Sequence, residues 1–522
     1  MTVTQQKGVS AEALASISTP DRVESRLGTL EFDDGAPSEK TAALLYDNLD
    51  FVHGVEAFLG AIPGVSIAAL RQGFLAAGIE DNSFTLFSEL MDSASLFLTG
   101  NCDTVYFWGF VDLSDGPMVL DVPSIGAPSG ILGTIDDMWF KWVTDIGLPG
   151  PDRGAGGKYL IVGPDYYGPL PDSGFHVFHA RTRRVTVIGR AFMIDNDPTA
   201  PVEVIRKGFR VSPYVPGAEG TAVASYLAGE APLGAGQEAP ETNFVESSGV
   251  SFNTLFPGDF GFWEVINELV QQEPPEAGDP ELLGLLASVG IVHGKKFEPD
   301  ERMRKILEEA AVVGNATART VTFSARPEEG FEFYPGSHWE SALFLGGYQF
   351  LDPPPLITAE GAVPVGPSDG ARKLDSRTNF FYMATGTTPA MCMRLTGIGS
   401  QYIYAMRDSQ GAFFDGGRSY KLTLPADIPQ SRFWSVILYD RQTRSMLQTA
   451  QHLPRLGSQS GTVETNPDGT TNIYFGPTAP EGKESNWLHT VPGKGWWTIL
   501  RLYNPLQAFF DKTWRPSEIE PI

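Results

Sequence analysis

The chain has 522 residues, 42% hydrophobic and 19% charged, a globular balance spread over more length than one ordinary core can hold. Lys and Arg number 38 against 63 Asp and Glu, a net charge of −25. A body this acidic repels phosphate backbones and anionic headgroups, so nucleic-acid and peripheral membrane binding are disfavoured as main roles.

Gly (57) and Pro (40) sit mostly between short apolar runs, which favours tight turns and a β-rich fold. Cys102 and Cys392 cannot build a disulfide framework, and neither belongs to a C-x-x-C pair. The opening MTVTQQKGVSAEALASISTP has no apolar h-region, and no window reaches the about 18 unbroken apolar residues of a spanning helix. A cytoplasmic protein is expected.

Residues 1–37 lack periodicity and read as an N-terminal arm. From Thr41 the spacing predicts a helix carrying Leu45, Leu49 and Val52. It should break at Pro63-Gly64 and give way to a second helix ending near Ala77, the pair lying as a lid over a first sheet. Val105, Phe107 and Val111 alternate with Tyr106, Trp108 and Phe110, so that strand is apolar on both faces. The turn Ser114-Asp115-Gly116-Pro117 predicts a hairpin with Met118 to Val122. Further strands are expected at Gly157 to Pro164, Phe175 to Ala180 and Arg184 to Phe192. Residues 38–200 therefore read as a helix pair plus a first β-sandwich.

Residues 201–330 read as a connector and helical segment. It begins with a short helix from Pro201 to Gly208 and a Gly/Ala/Glu-rich stretch, PGAEGTAVASYLAGEAPLGAGQEAPETNF. Helices follow after Asp259, across Pro280 to Val289, and across Asp300 to Ala318. Residues 331–522 give a helix over Ser376 to Thr385 and a closing β-region. Its strands are expected at Gln401 to Met406, Tyr420 to Leu424, Phe433 to Tyr439, Asn472 to Phe475 and Trp496 to Tyr503. The fold class is mainly β with helical additions: two jelly-roll-like β-sandwich domains joined by a helical segment.

In WWTILRLY, alternation sets Trp497, Ile499, Arg501 and Tyr503 on one face. A guanidinium cannot shed its proton, so a buried Arg501 needs carboxylate, carbonyl or ligand partners. It is either an anion clamp in a pocket or half of a structural pair with Asp408, Asp440 or Asp511. Asp103 could be a general base with Tyr106 as its acid partner, or it could simply start the strand by an Asx turn. Tyr404 and Asp408 carry the same ambiguity. Asn486 and Trp487 read as a loop platform for a sugar or aromatic ligand, or as a core plug.

Metal binding has little support: His176 and His179 point to opposite faces, and Asp136-Asp137 read as solvated acids. No G-x-S-x-G, P-loop or dinucleotide-binding G-x-G-x-x-G at a strand-to-helix junction is present, and nothing specifies a cofactor.

Two blocks carry a family resemblance. NCDTVYFWGFVDLSDGPMVLDVP with GPDRGAGGKYLIVGP resembles the module catalogued as domain of unknown function 1254. SRFWSVILYDRQTRSMLQ, NPDGTTNIYFGPTAPEGKESNWLHTVPGKGWWTILRLYNP and FFDKTWRP are similar to its C-terminal partner, domain of unknown function 1214. The intervening NTLFPGDFGFWEVINELVQ and RTNFFYMATGTTPAM look like the long form of this two-module family, so the resemblance runs over roughly residues 40 to 520. It implies two jelly-roll-like sandwiches linked by helices and carries no catalytic set; Cys102 departs from the pattern.

Two functions follow from these readings. One is a hydrolase- or lyase-like enzyme for a small polar or aromatic metabolite held between the sandwiches. There Arg501 would stabilise charge, Asp408 or Asp103 would move protons, and Trp434, Tyr439 and Trp487 would line the pocket. The other is a non-catalytic ligand-binding or oligomeric protein. A small-molecule ligand and a homo-oligomer are the expected partners. An enzyme should bring Arg501 and an acid to one cavity.

Overall fold

The computed structural model describes residues 8–126, 129–216, 239–344, 347–352, 370–392, 396–397 and 399–522. Most of the Gly/Ala/Glu-rich connector lies outside them. Two β-sandwiches stand side by side, with helices packed along them.

In the first sandwich, a six-stranded sheet runs Phe244–Glu246, Phe84–Leu86, Val105–Asp112, Arg184–Ala191, Ile131–Asp137, Trp142–Gly147. It faces a four-stranded sheet of His176–His179, Gly157–Val162, Met118–Val122 and Arg210–Pro213. Val105, Phe107, Val111, Leu120, Ile161 and Val187 fill the space between. The hairpin expected from the Ser114–Pro117 turn does not form. Val105–Asp112 pairs with Arg184–Ala191, whereas Met118–Val122 pairs with Gly157–Val162 in the other sheet. The turn carries the chain across the sandwich because both strands bury apolar groups on the same interior.

The second sandwich sets Trp339–Glu340, Ser400–Ala405, Trp496–Pro505, Gln430–Asp440 and Arg455–Gly457 against Trp487–His489, Thr471–Gly476, Tyr420–Leu424 and Glu520–Pro521. Trp434, Trp496, Leu500, Leu502, Leu422 and Ile473 form its interior. The arm expected before residue 38 includes a helix, Ala11–Ile17, and a small three-stranded meander.

The predicted break at Pro63 is absent. One helix spans Glu39–Ala76, 38 residues, capped by Ser38, whose side chain accepts from the Thr41 amide at 3.2 Å. Proline costs a helix interior about 3 kcal/mol and a hydrogen bond. Here the segment Ala61–Leu70 is buried throughout, so packing outweighs that cost. Phe58 stacks on Phe262 with centroids 3.9 Å apart, and Trp263 Nε1 donates to the Leu307 carbonyl at 2.9 Å. Gly54 lies so close to Ala310 that a Cβ would sit 2.8 Å from that methyl, which brings Glu301–Phe323 against the long helix. Glu39–Ala76 is long and apolar enough to cross a membrane by composition, yet it is largely covered by the other helices and the sheets. It is a core helix that packs against Gly261–Gln272, Pro280–Ser288 and Glu301–Phe323 and, as the expected cover over the first sheet, sets Phe74 against Trp108 and Phe110.

Candidate functional site

The six-stranded sheet of the first sandwich presents its second face to the five-stranded sheet of the other. Register fixes what meets there. Across the first sheet, Tyr106, Arg190, Leu132 and Gly147 form one row, and Trp108, Ile188, Thr134 and Asp145 form the next. Across the second, Tyr402, Arg501 and Ser435 form a row beside Tyr404, Ile499 and Ile437. The faces do not close completely. They leave a cavity of about 520 Å³, and among its walls are Trp108, Arg190, Asp145, Tyr402, Tyr404 and Arg501. That volume suits a small metabolite. Leu148–Pro151 and Arg153 also line it, and Pro151 and Arg153 are exposed, so the mouth lies at this loop. Asp152 braces the loop by accepting from Tyr159 Oη and from the Gly156 amide.

The cavity has two polar poles. At the first, Arg501 is only 5% exposed. Its Nη2 donates to the Thr99 carbonyl at 3.1 Å and to Tyr439 Oη at 2.6 Å, and its guanidinium lies 4.9 Å over the Tyr402 ring. Tyr439 in turn donates to the Gly100 carbonyl at 2.8 Å. Arg190 Nη2 donates to Tyr402 Oη at 3.2 Å. Neither guanidinium has a carboxylate within ion-pair distance among the described residues. Burial opposes the charge of both, and the surrounding phenol oxygens, Tyr402 foremost at Arg190 and Tyr439 foremost at Arg501, more than offset it, so both remain cations.

The carboxylates suggested as structural partners of Arg501 are engaged elsewhere. Asp440 takes Lys494 Nζ at 2.5 Å, Asp511 takes Gln507, and Asp408 accepts the Gln410 and Ala412 amides to close a turn. One buried and one half-buried cation thus face a largely apolar hollow with only neutral oxygens as partners. That arrangement is costly unless an anion completes it.

The second pole is Asp145, on the strand Trp142–Gly147. Thr388 Oγ1 donates to its two oxygens at 2.6 and 2.8 Å, and Trp142 Nε1 donates at 3.2 Å. Burial pushes its carboxyl up to about 7, against the pull of those donors. Asp136 lies nearby, fully buried, with the Thr387 amide on one oxygen and no partner on the other. Burial first, then the neighbouring Asp145, raises it well above the carboxylate range. Strand spacing puts the Cα atoms of Asp145 and Arg190 about 12 Å apart.

The raised Asp145 sets a pH signature. Between about pH 4 and pH 7 the native protein holds a proton that the unfolded chain has released, so this group makes stability fall as pH rises through that window. The cost is absent below the window and complete above it, about 4 kcal/mol. Asp145→Asn should therefore be more stable than wild type at pH 8 and lose the advantage by about pH 4. Urea denaturation across that range measures it. Glu273 and Glu340, also pushed by burial to about 7, are present in both proteins and cancel in the difference. Parallel stability curves would contradict the assignment.

The residues singled out from the sequence divide between the cavity and the framework. Arg501, Tyr106 and Tyr404 line the cavity, and Tyr439 holds Arg501 from behind. Asp103 is not on its wall. It accepts from Ser435 Oγ at 2.5 Å and Tyr503 Oη at 3.1 Å and pairs with Arg455 at 3.3 Å, tying the sandwiches together. Tyr106 Oη instead accepts from Asn101 Nδ2 at 2.6 Å, so Asp103 and Tyr106 are not an acid–base pair. Trp434 points into the second sandwich. Asn486 is buried and tied to Glu464 and Asn472 by bonds of 2.7 to 2.8 Å. Trp487 begins a strand and donates to the Gly476 carbonyl at 2.9 Å, so this pair is framework and not an exposed platform. Asp136 and Asp137 are not solvated either. Asp137 binds Arg181 at 2.5 Å and caps the Trp139 and Lys141 amides.

Arg190, Tyr402, Asp145 and Thr388 were not singled out from the sequence. The signal for Arg190 was available: it alternates with Ile188 on a strand, as Arg501 does with Ile499. No group of three or more His, Cys, Asp or Glu able to hold a metal occurs among the described residues. Cys102 is buried and free, away from the cavity wall.

Residues 82–213 match the family described as "Protein of unknown function (DUF1254)", and residues 399–507 match "Protein of unknown function (DUF1214)". No curated protein matches the chain. Among solved structures, the VPA0106 protein from Vibrio parahaemolyticus is similar with 18% identity and a TM-score of 0.50, over 90% of this chain and 100% of that one. This likeness extends to the fold alone. An uncharacterised protein from Burkholderia cenocepacia is similar with 11% identity and a TM-score of 0.37, over 92% of this chain and 96% of that one. The chain thus carries a DUF1254 module at residues 82–213 followed by a DUF1214 module at residues 399–507, the two-module arrangement.

Proposed function

We propose that the cavity between the sandwiches binds a small, largely apolar or aromatic molecule carrying a carboxylate or an oxygen that becomes anionic, and that the protein acts on it by proton transfer as a hydrolase- or lyase-like enzyme. The observation that carries this reading is the pair Arg190 and Arg501: a half-buried and a buried cation that meet at one pole of the cavity from facing sheets, with no carboxylate partner among the described residues. Their charge is preorganised where negative charge would sit or develop. Across the same cavity Asp145, with its carboxyl near 7, has the proton affinity that general acid–base chemistry at neutral pH requires. Trp108, Tyr404, Trp497 and Ile499 supply apolar walls for a ring or branched chain.

A thermal-shift panel tests the reading. Benzoate and other small aromatic carboxylates should raise the melting temperature at neutral pH, and the matching methyl esters and amides should not. Conversion of the stabilising acids, followed by NMR, should occur with wild type and stop in Asp145→Asn. If no acid stabilises the protein, or esters do so equally, the anion site is refuted. Stabilisation without any conversion would favour a binding protein over an enzyme.

A further inference from the structure

We infer that Tyr402 is the proton-donating catalytic residue of this cavity. The inference rests on the reading of the cavity as an anion site and assigns a role within it that the cations and Asp145 do not fill.

Four tyrosines surround the cationic pole, and their contacts separate them. Tyr439 is behind Arg501 and hands its own proton to the Gly100 carbonyl. Tyr503 is off the cavity wall and donates to Asp103 at 3.1 Å. Tyr106 is on the wall, but its oxygen accepts from Asn101 at 2.6 Å. Tyr402 lines the cavity and is in contact with both guanidiniums: Arg190 Nη2 reaches its oxygen at 3.2 Å, and Arg501 lies 4.9 Å over its ring. Any anion seated on Arg190 and Arg501 therefore touches Tyr402.

The groups facing Tyr402 are Arg190 from the first sandwich, Arg501 and Tyr503 from the neighbouring strand, Ser400 on its own strand, and Tyr106 across the gap. Burial opposes ionisation of Tyr402, yet Arg190 and then Arg501 outweigh it and hold the phenol below its usual range. A phenolate at Tyr402 and a bound carboxylate would draw on the same two cations. Binding the carboxylate weakens the hold on a phenolate, so where alkaline pH has ionised Tyr402 the bound anion restores the phenol. In a lyase-like step a C–H bond of the ligand breaks and its proton goes to Asp145, the freed electron pair forms a C=C bond, the adjacent C–O bond breaks toward oxygen, and that oxygen takes the proton of the Tyr402 O–H bond, leaving a phenolate held by the two guanidiniums. Solvent restores the proton in the next cycle.

Two measurements test this. In the ligand-free protein, an alkaline titration followed by the tyrosinate ultraviolet band should show one tyrosine ionising below the ordinary value of about 10, and Tyr402→Phe should lack that step. Loss of the step in the variant assigns it to Tyr402 among the tyrosines at this pole. If wild type and variant titrate alike, the assignment is overturned whether or not any ligand binds. The second measurement is calorimetry of benzoate binding at about pH 9, just below the ordinary phenol range, in two buffers of different ionisation enthalpy. Wild type should take up a proton on binding, and Tyr402→Phe should bind without uptake. Binding with no uptake by wild type overturns the inference and leaves the anion site standing. Failure of benzoate and its homologues to bind at all defeats the anion site itself.

Discussion

Replacing Asp103 with alanine is expected to cost about 3–5 kcal/mol of stability while leaving the cavity's affinity for anions within a few-fold of wild type. Asp103 is fully buried at the seam between the sandwiches. It comes from the first module, and its three side-chain partners, Ser435, Tyr503 and Arg455, come from the second. Truncation leaves the largely buried Arg455 without its carboxylate and two hydroxyls without an acceptor, and an orphaned buried charge accounts for most of the cost. Phe192 packs on Phe433 and Tyr503 at the same seam, so the loss is felt by both modules. Urea denaturation at neutral pH should show the midpoint falling. The double variant Asp103→Ala with Arg455→Met should recover part of the loss, because it removes both charges. A loss under about 1 kcal/mol would contradict this structural role, and an intact fold that has lost ligand conversion would place Asp103 in the chemistry.

Much of this arrangement was readable from alternation. The WWTILRLY run places Arg501 with Trp497, Ile499 and Tyr503, and the structure turns that face to the first module while Trp496, Leu500 and Leu502 fill the second sandwich. The Val105–Asp112 strand divides in the same way, Phe107 inward and Tyr106 and Trp108 toward the cavity. What alternation cannot reveal is the partner of each face. Tyr402 and Arg190 meet across 212 positions of chain, and nothing local to either residue announces it. Asp145 was missed for a different reason. Its strand, WVTDIG, joins Ile131–Asp137 by a short turn through Met138 to Lys141, and the acids in that run look like turn residues. They are strand residues, and the period of two carries Asp145 to the same wall as Thr134 and Ile188. Pro63 misled in the opposite sense, since a local helix breaker is overruled where every surrounding surface is buried. Asn486 shows that an amide in a Gly- and Glu-rich run can be an internal tie, because its buried side chain bonds the backbones of Glu464 and Asn472.

The largest effect on ligand binding is expected from Arg501. Its guanidinium has no carboxylate partner in the described structure, so methionine removes a charge that is expensive to bury and fills much of the same volume. The bonds to the Thr99 carbonyl and Tyr439 Oη are lost, but Tyr439 keeps its own bond to the Gly100 carbonyl. The fold should therefore melt within a few degrees of wild type. An anion seated at this pole loses a buried, charge-assisted contact of about 2–5 kcal/mol, at least about 30-fold in affinity. The decisive measurement is calorimetric titration of benzoate into wild type and Arg501→Met at neutral pH, with each protein's melting temperature recorded beside it. Loss of binding by an intact variant is the expected result. A variant that unfolds, or one that binds benzoate as tightly as wild type, would show that the buried guanidinium serves the framework and that the cavity is not an anion site.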